Sequence, residues 1–180
     1  YQTYKFDFAW MIEPDCFFNG FNFHDLFSAG RNVDFISTYI SKASDDWYWK
    51  KLSVYGEETY RCFFPVTRVS RLAVHHLYNK RKKSGSSMND ESFVISEVIR
   101  EGLLYSELNE VFPSVKYNKN NFSYRKVHYR KFLLLKILFG RSKENIYHPV
   151  YFSLITFLCS FFKKKTWKIM LGIDSNDWWI

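Results

Sequence analysis

The chain has 180 residues, of which 47% are hydrophobic and 21% aromatic, and it carries a formal net charge of +8. This length and composition suit one folded domain with a hydrophobic core and exclude a disordered or fibrous protein. The excess of basic residues favours phosphate-bearing partners, whether nucleotides, nucleic acid or an anionic membrane surface, without choosing among them.

The first elements alternate between strand and helix patterns. An apolar run over residues 6–12 predicts a strand buried on both faces, which ends at the acid pair Glu13 and Asp15. We then expect a turn over 16–20, a short helix over 21–27, a second strand over 33–40, a polar Trp-rich loop over 41–51 and a third extended segment over 61–66.

Two longer helices follow, each with a recognisable start. Ser70 is a suitable N-cap for a helix that ends in the basic run 80–83, and Asn89 or Asp90 caps a second helix that stops at Gly102. Residues 103–115 then lead back into the core as a short segment.

The last third of the chain is less regular. Residues 117–131 are basic and without a clear period, which predicts an exposed loop. Residues 132–139 and 150–162 are strongly apolar but too short to span a membrane, so no transmembrane helix is predicted. The run Lys163–Lys165 after the second of these segments allows peripheral contact with an anionic membrane.

The cysteines and the start of the chain bear on its origin. Cys16, Cys62 and Cys159 are too far apart and too few for a disulfide framework, and we expect them to be small buried residues. The chain begins at Tyr1 without a visible signal peptide, so we expect an N-terminally truncated fragment. These features favour the cytoplasm or the cytoplasmic face of a membrane, or a Golgi-type lumen if an N-terminal anchor is missing.

The acid pair after the first strand is the first candidate site. Glu13 and Asp15 lie where open α/β sheets place their ligands, and carboxylate oxygens suit hard divalent cations. The alternative is a polar turn. His148, held before Pro149, is a possible further ligand for an ion such as Mn²⁺, and its alternative is a structural or surface histidine.

Two further motifs lie in the middle of the chain. Asp90 and Glu91 begin a helix, where the dipole keeps carboxylates ionised and able to act as a general base, and the alternative is an ordinary capping acid. Arg68 and Ser70 stand at a strand-to-helix junction that suits anionic or polyhydroxyl ligands, and the alternative is a solvated basic helix start.

In this order, the four motifs resemble the catalytic part of glycosyltransferases with the GT-A, nucleotide-diphospho-sugar transferase fold. Residues 10–15 resemble the strand that ends in a metal-binding acid pair, with Glu13 as its first acid. Residues 64–71 resemble the proline-and-arginine segment of one branch, and 91–102 resemble the helix that begins with its catalytic glutamate. Residues 147–150 resemble the tail motif that returns a histidine to the metal.

The resemblance implies an α/β fold: a partial, Rossmann-like GT-A domain with a mixed sheet flanked by helices and without the N-terminal nucleotide-binding strands. Residues 1–180 would form one partial domain, with a catalytic core over 1–115, a basic loop or helix over 116–145 and a C-terminal segment over 146–180. A fragment of this kind is not expected to bind its donor well.

The resemblance also implies metal-dependent, inverting transfer of a sugar from a nucleotide-sugar donor to a glycan or glycolipid acceptor. Asp15, helped by Glu13 and His148, would hold Mn²⁺ or Mg²⁺, and Glu91 would be the base, with Asp90 as the alternative. The residues expected to contact substrate are Arg68, Ser70, Trp47 and Trp49, although the tryptophans could instead close the core.

Two other functions fit parts of the sequence. The net charge and the aromatic residues among the Lys and Arg of 117–131 fit a basic nucleic-acid-binding module, but no motif of such a fold is present and no nucleic acid is expected as a partner. The aromatic, Lys-ended C-terminal segment fits a membrane-surface protein that keeps the transferase fold without its activity.

Overall fold

The computed structural model describes residues 5–20, 22–85, 88–122, 128–129 and 145–151. These residues form two compact units. The first unit contains residues 5–12 and the described part of 27–112, and the second contains the described parts of 13–26 and 113–151. The single-domain organisation expected from the sequence stays a prediction.

The elements alternate between strands and helices along the chain. The strands are β1 Phe8–Ile12, β2 Phe17–Asn19, β3 Phe35–Lys42, β4 Tyr60–Ser70, β5 Tyr105–Glu107, β6 His128–Tyr129, β7 Asn145–Tyr147 and β8 Val150–Tyr151. The helices are α1 Phe23–Ser28, α2 Tyr48–Lys51, α3 Arg71–Ser84, α4 Asp90–Arg100 and α5 Leu108–Val111, with a 3₁₀ turn at Gly56–Glu58.

The first unit is built on a mixed sheet with the strand order β1-β4-β3-β5. β4 pairs antiparallel with β1 and with β3, whereas β3 pairs parallel with β5. An apolar cluster lies between α4 and this sheet. It consists of Phe35, Cys62, Val69, Phe93, Val94, Ile95 and Val98. The predicted α/β class, with a mixed sheet flanked by helices, is therefore confirmed.

β1 is less buried than its sequence predicts. It is the outer strand of the four-stranded sheet, and Met11 and Ile12 at its end are 41% and 38% exposed. The prediction of a strand buried on both faces is wrong, because an apolar run does not distinguish a central strand from an edge strand whose apolar residues remain partly exposed.

The two long helices begin and end where the sequence predicts. The Ser70 hydroxyl accepts a hydrogen bond from the Ala73 backbone N–H at 3.0 Å, and Gly85 ends α3 in the left-handed conformation. Asn89 caps α4 through the N–H of Glu91, and Gly102 follows its end at φ +67°. Both starts follow from side-chain oxygens that satisfy N–H groups of the first helical turn.

Replacing Ser70 by alanine should destabilise the protein by about 1–2 kcal/mol, because the change removes the cap and also the hydrogen bond that the hydroxyl donates to Asp34 at 2.8 Å. Urea unfolding followed by tryptophan fluorescence measures this difference. Ser84→Ala, at the exposed end of the same helix, should change stability by less than about 0.5 kcal/mol. Equal effects of the two substitutions would contradict the capping role.

Three short elements were predicted differently. Residues 16–20 do not form only a turn, because β2 pairs antiparallel with β7. The loop predicted over 41–51 contains the end of β3 and the helix α2, and the segment 103–115 contains β5 and α5. The pairing partners of β2 and β5 lie far away in the sequence, so a local pattern does not reveal these strands.

The second unit is held by short strand pairs. Phe17 and Phe18 of β2 lie opposite Tyr147 and Ile146 of β7, and β6 pairs parallel with β8. Phe122 is completely buried and bridges to His148, so the basic stretch predicted as an exposed loop is partly in the core. Residues 118–120 of that stretch are exposed, as predicted, and residues 123–127 and 130–131 lie outside the described part of the chain.

No helix among the described residues is long and apolar enough to cross a membrane. Residues 132–139, nearly all of 150–162, Lys163–Lys165 and Cys159 lie outside the described part of the chain.

Candidate functional site

The acid pair lies on a tight turn between β1 and β2. The N–H of Cys16 donates a hydrogen bond to the carbonyl of Glu13 at 3.0 Å, which closes the turn. The carbonyl of Asp15 accepts a hydrogen bond from the N–H of Val150 at 2.9 Å. These two backbone bonds hold both acids next to the segment that contains His148.

Strand pairing brings His148 to this turn from the far end of the described chain. β7 pairs with β2, and the N–H of His148 donates to the carbonyl of Asn121 at 2.8 Å. The rings of Phe122 and His148 also make an edge-to-face contact, with 5.8 Å between their centroids, which restricts the imidazole further. His148 is therefore only 3% exposed.

The imidazole Nε2 of His148 lies 3.0 Å from Glu13 Oε2 and 3.4 Å from Asp15 Oδ1. One ligand atom from each of these residues lies within 4.8 Å of the others. The Glu13 and Asp15 side chains remain 46% and 44% exposed, so a ligand can reach them from solvent. The three residues predicted as metal ligands thus lie together, and metal binding by them stays a prediction.

Two carboxylates and one imidazole form a suitable set of ligands for a divalent cation such as Mn²⁺, which accepts both oxygen and nitrogen donors. The sequence ranked Asp15 above Glu13, but the His148 Nε2 is nearer to Glu13. The structure gives no reason to leave Glu13 out of the ligand set.

Cys16 stands directly beside the acid pair. Burial raises the pKa of its thiol, and the charges of Asp15 and Glu13 raise it further. The thiol is therefore protonated at neutral pH and is a weaker nucleophile than an ordinary cysteine. Cys62 is completely buried, as predicted, whereas Cys16 is only partly buried.

The two acids at the start of α4 differ in their surroundings. Glu91 is 7% exposed, and its N–H is held by the Asn89 side chain at 2.9 Å. Asp90 is 68% exposed and forms an ion pair with Arg81. The two predicted bases therefore differ: Asp90 is exposed to solvent and paired with Arg81, whereas Glu91 is a buried carboxylate in the first turn of the helix.

Arg68 was expected to contact a ligand, but its surroundings are structural. The side chain is fully buried, and its guanidinium donates hydrogen bonds to the carbonyls of Ala29, Gly30 and Val33. Burial lowers the pKa of Arg68 to about 10, which leaves it charged at neutral pH. Arg68 is a structural residue rather than a ligand-binding one.

Ser70 and Trp47 need the same correction. The Ser70 hydroxyl is used by the cap of α3 and by Asp34, and the residue is 6% exposed. Trp47 is completely buried, so its ring offers no face to a sugar and belongs to the core, which was the alternative given by the sequence. Trp49 is half-buried in edge contact with Tyr48, and its predicted role in substrate binding stays a prediction.

A second group of possible metal ligands was missed by sequence reasoning. His76 of α3 lies beside Glu97 of α4 and beside Glu101, the C-cap residue of α4. The spacing of the two glutamates, four residues apart on one helix, is a signal in the sequence, but it does not identify the histidine that faces them.

No model of a protein family, no curated protein and no solved structure matches this chain.

Proposed function

We propose that this chain is part of a metal-dependent glycosyltransferase of the GT-A type, which moves a sugar from a nucleotide-diphosphate donor to a hydroxyl of a glycan or glycolipid. The proposal rests on one observation: the side chains of Glu13, Asp15 and His148 lie close together at the turn after β1. These residues occupy the positions of the acid pair and the tail histidine in the motif resemblance described above.

The chemistry of these ligands supports the proposal. Asp15, Glu13 and His148 would hold Mn²⁺ or Mg²⁺ on the donor diphosphate. When bound there, such an ion neutralises the charge that develops on the departing diphosphate. Two backbone hydrogen bonds hold the turn, so the backbone of both acids is already in place before a ligand binds.

Glu91 is the proposed general base. In this role its carboxylate takes the proton from the acceptor hydroxyl as the hydroxyl attacks the anomeric carbon, and direct displacement then inverts the configuration at that carbon. Glu91 lies in the first turn of α4, where the backbone N–H groups and the helix dipole attract a carboxylate. The ion pair with Arg81 makes Asp90 the weaker candidate.

Asp15→Asn should weaken binding of Mn²⁺ by at least about tenfold, because the variant loses a charged oxygen ligand. The measurement is a titration of the chain with Mn²⁺, followed by the electron paramagnetic resonance signal of the free ion, without and with uridine diphosphate. The first arm tests the metal site alone, and the second tests whether the diphosphate strengthens it.

Asp25→Asn is the matched control, since Asp25 is an exposed aspartate of the same unit. This variant should bind Mn²⁺ as the original chain does. Equal Mn²⁺ affinity in the original chain, Asp15→Asn and Asp25→Asn would exclude the proposed site.

A further inference from the structure

Besides the group at Glu13, Asp15 and His148, the structure contains a cluster of ionisable side chains in the first unit, between α3 and α4. His76 Nε2 lies 3.5 Å from Glu97 Oε2 and 3.4 Å from Glu101 Oε1. Glu97 is 7% exposed at its side chain, whereas His76 and Glu101 are 21% and 35% exposed. A histidine of α3, a glutamate of α4 and the glutamate that caps the C-terminal end of α4 thus lie close together, and two of the three side chains are partly exposed to solvent.

Glu97 is oriented as a single-oxygen ligand. Its Oε1 accepts a hydrogen bond from the Tyr55 hydroxyl at 2.7 Å, which leaves Oε2 directed at His76. Burial and this hydrogen bond raise the pKa of Tyr55, so the hydroxyl keeps its proton and stays a donor. A carboxylate fixed by a second residue in this way is typical of the ligands in metal sites.

We infer that His76, Glu97 and Glu101 form a binding site for a zinc-type divalent cation, separate from the site at Glu13, Asp15 and His148. Bonds of about 2.0–2.2 Å in tetrahedral geometry place neighbouring ligand atoms roughly 3.3–3.6 Å apart. The two distances from His76 Nε2 already lie in that range. The ligand atoms of all three residues lie within 4.8 Å of one another, so one Zn²⁺ can contact all three and take water as its fourth ligand.

The ligand set also selects the class of metal. Imidazole nitrogen with carboxylate oxygen suits Zn²⁺ and Co²⁺, whereas Mg²⁺ prefers six oxygen ligands and keeps several waters. No thiolate takes part. The geometry therefore favours a transition metal over Mg²⁺ or Ca²⁺.

Lys80 is the competitor for this site. Its Nζ lies 2.8 Å from Glu101 Oε1 and 3.6 Å from Glu97 Oε2, so one ammonium neutralises half of the charge of the two carboxylates. Because the Lys80 side chain is 42% exposed, it can turn outward and leave both carboxylates to a divalent ion. Metal and Lys80 are thus alternative cations for one pair of acids.

The bound ion would join α3 to α4, and α4 carries Glu91 in its first turn. A metal ion that binds the folded state but not the unfolded state raises the thermal stability of the protein by mass action. The inference does not depend on the proposed transferase activity, since it concerns only binding and stability.

The test is a titration with Co²⁺ and Zn²⁺, carried out in the Asp15→Asn background so that the other site contributes little. We expect one Co²⁺ per chain with the intense visible absorption of a four- or five-coordinate ion, and displacement by Zn²⁺. His76→Gln and Glu101→Gln should each lower the affinity at least about tenfold. Lys80→Met should raise the affinity, because it removes the competing ammonium.

Matched controls are available on α3. His75, the exposed neighbour of His76, contacts Asn79, and Lys83 lies near the end of the same helix. His75→Gln and Lys83→Met should leave Co²⁺ affinity unchanged. The inference is overturned if His76→Gln and Glu101→Gln bind Co²⁺ as well as His75→Gln does, or if the bound ion shows only the weak spectrum of a six-coordinate aqua ion.

Discussion

Glu91→Gln is expected to lower the rate of sugar transfer by about 10²–10⁴-fold, which is the usual contribution of a general base. Glutamine has nearly the shape of glutamate but cannot accept the proton of the acceptor hydroxyl at neutral pH. The cap of α4 uses the Asn89 side chain and the N–H of residue 91, so the helix start is retained. Binding of Mn²⁺ should not change, because Glu91 is not among the proposed ligands.

The measurement is release of nucleoside diphosphate and formation of the glycan product by the protein, with Mn²⁺ titration alongside. Asp90→Asn distinguishes between the two acids: it removes an exposed ion pair with Arg81, which is worth about 0–1 kcal/mol of stability, and should leave the rate nearly unchanged. Undiminished turnover by Glu91→Gln would exclude Glu91 as the base. Loss of turnover only in Asp90→Asn would assign the role to Asp90.

The parts of the fold that depend on neighbouring residues were predictable. Ser70 and Asn89 cap their helices, and Gly85 and Gly102 follow the helix ends with positive φ. Each signal acts within one turn of its own position, through hydrogen bonds to nearby N–H groups or through the freedom of glycine. Local sequence therefore predicts the bounds of α3 and α4 well.

The candidate metal site could be predicted for a different reason. An acid pair after an apolar run is visible in the sequence, and so is a histidine before proline. The proximity of these side chains depends on the pairing of β2 with β7, two strands that are far apart in the sequence. This pairing brings His148 to Glu13 and Asp15. The motif resemblance supplied this long-range link, whereas composition and periodicity could not.

Burial argues against the predicted substrate contacts of Arg68 and Trp47. Arg68 and Trp47 are residue types that often contact ligands, and both are completely buried here. A sequence shows that an arginine is present but not whether backbone carbonyls surround it. The three carbonyls that bind Arg68 belong to residues 29–33, more than thirty positions earlier in the chain.

The same burial predicts a large effect on stability. Arg68→Met should lower the free energy of unfolding by about 2–6 kcal/mol, since it leaves the partly buried carbonyls of Ala29 and Val33 without this donor, at about 1–3 kcal/mol for each unsatisfied group. The carbonyl of Gly30 loses one of two donors, because the N–H of Val33 still bonds to it at 3.0 Å. The substitution also removes the guanidinium from the face of Phe8, where the distance to the ring centroid is 4.2 Å. Arg68→Lys should be intermediate, because a single ammonium cannot reproduce the planar fork.

Urea unfolding of these variants is compared with Arg71→Met, which removes an arginine three positions away whose side chain is 56% exposed and bonds to Phe6 and Asp7. That exposed change should amount to about 1 kcal/mol or less. If Arg68→Met were as stable as Arg71→Met and instead lost uridine diphosphate binding, Arg68 would be a ligand-binding residue, as the sequence suggested. A large loss of stability in Arg68→Met alone would show that the Arg68 guanidinium holds the segment before β3 against β4, because removal of a surface ion pair does not produce an effect of that size.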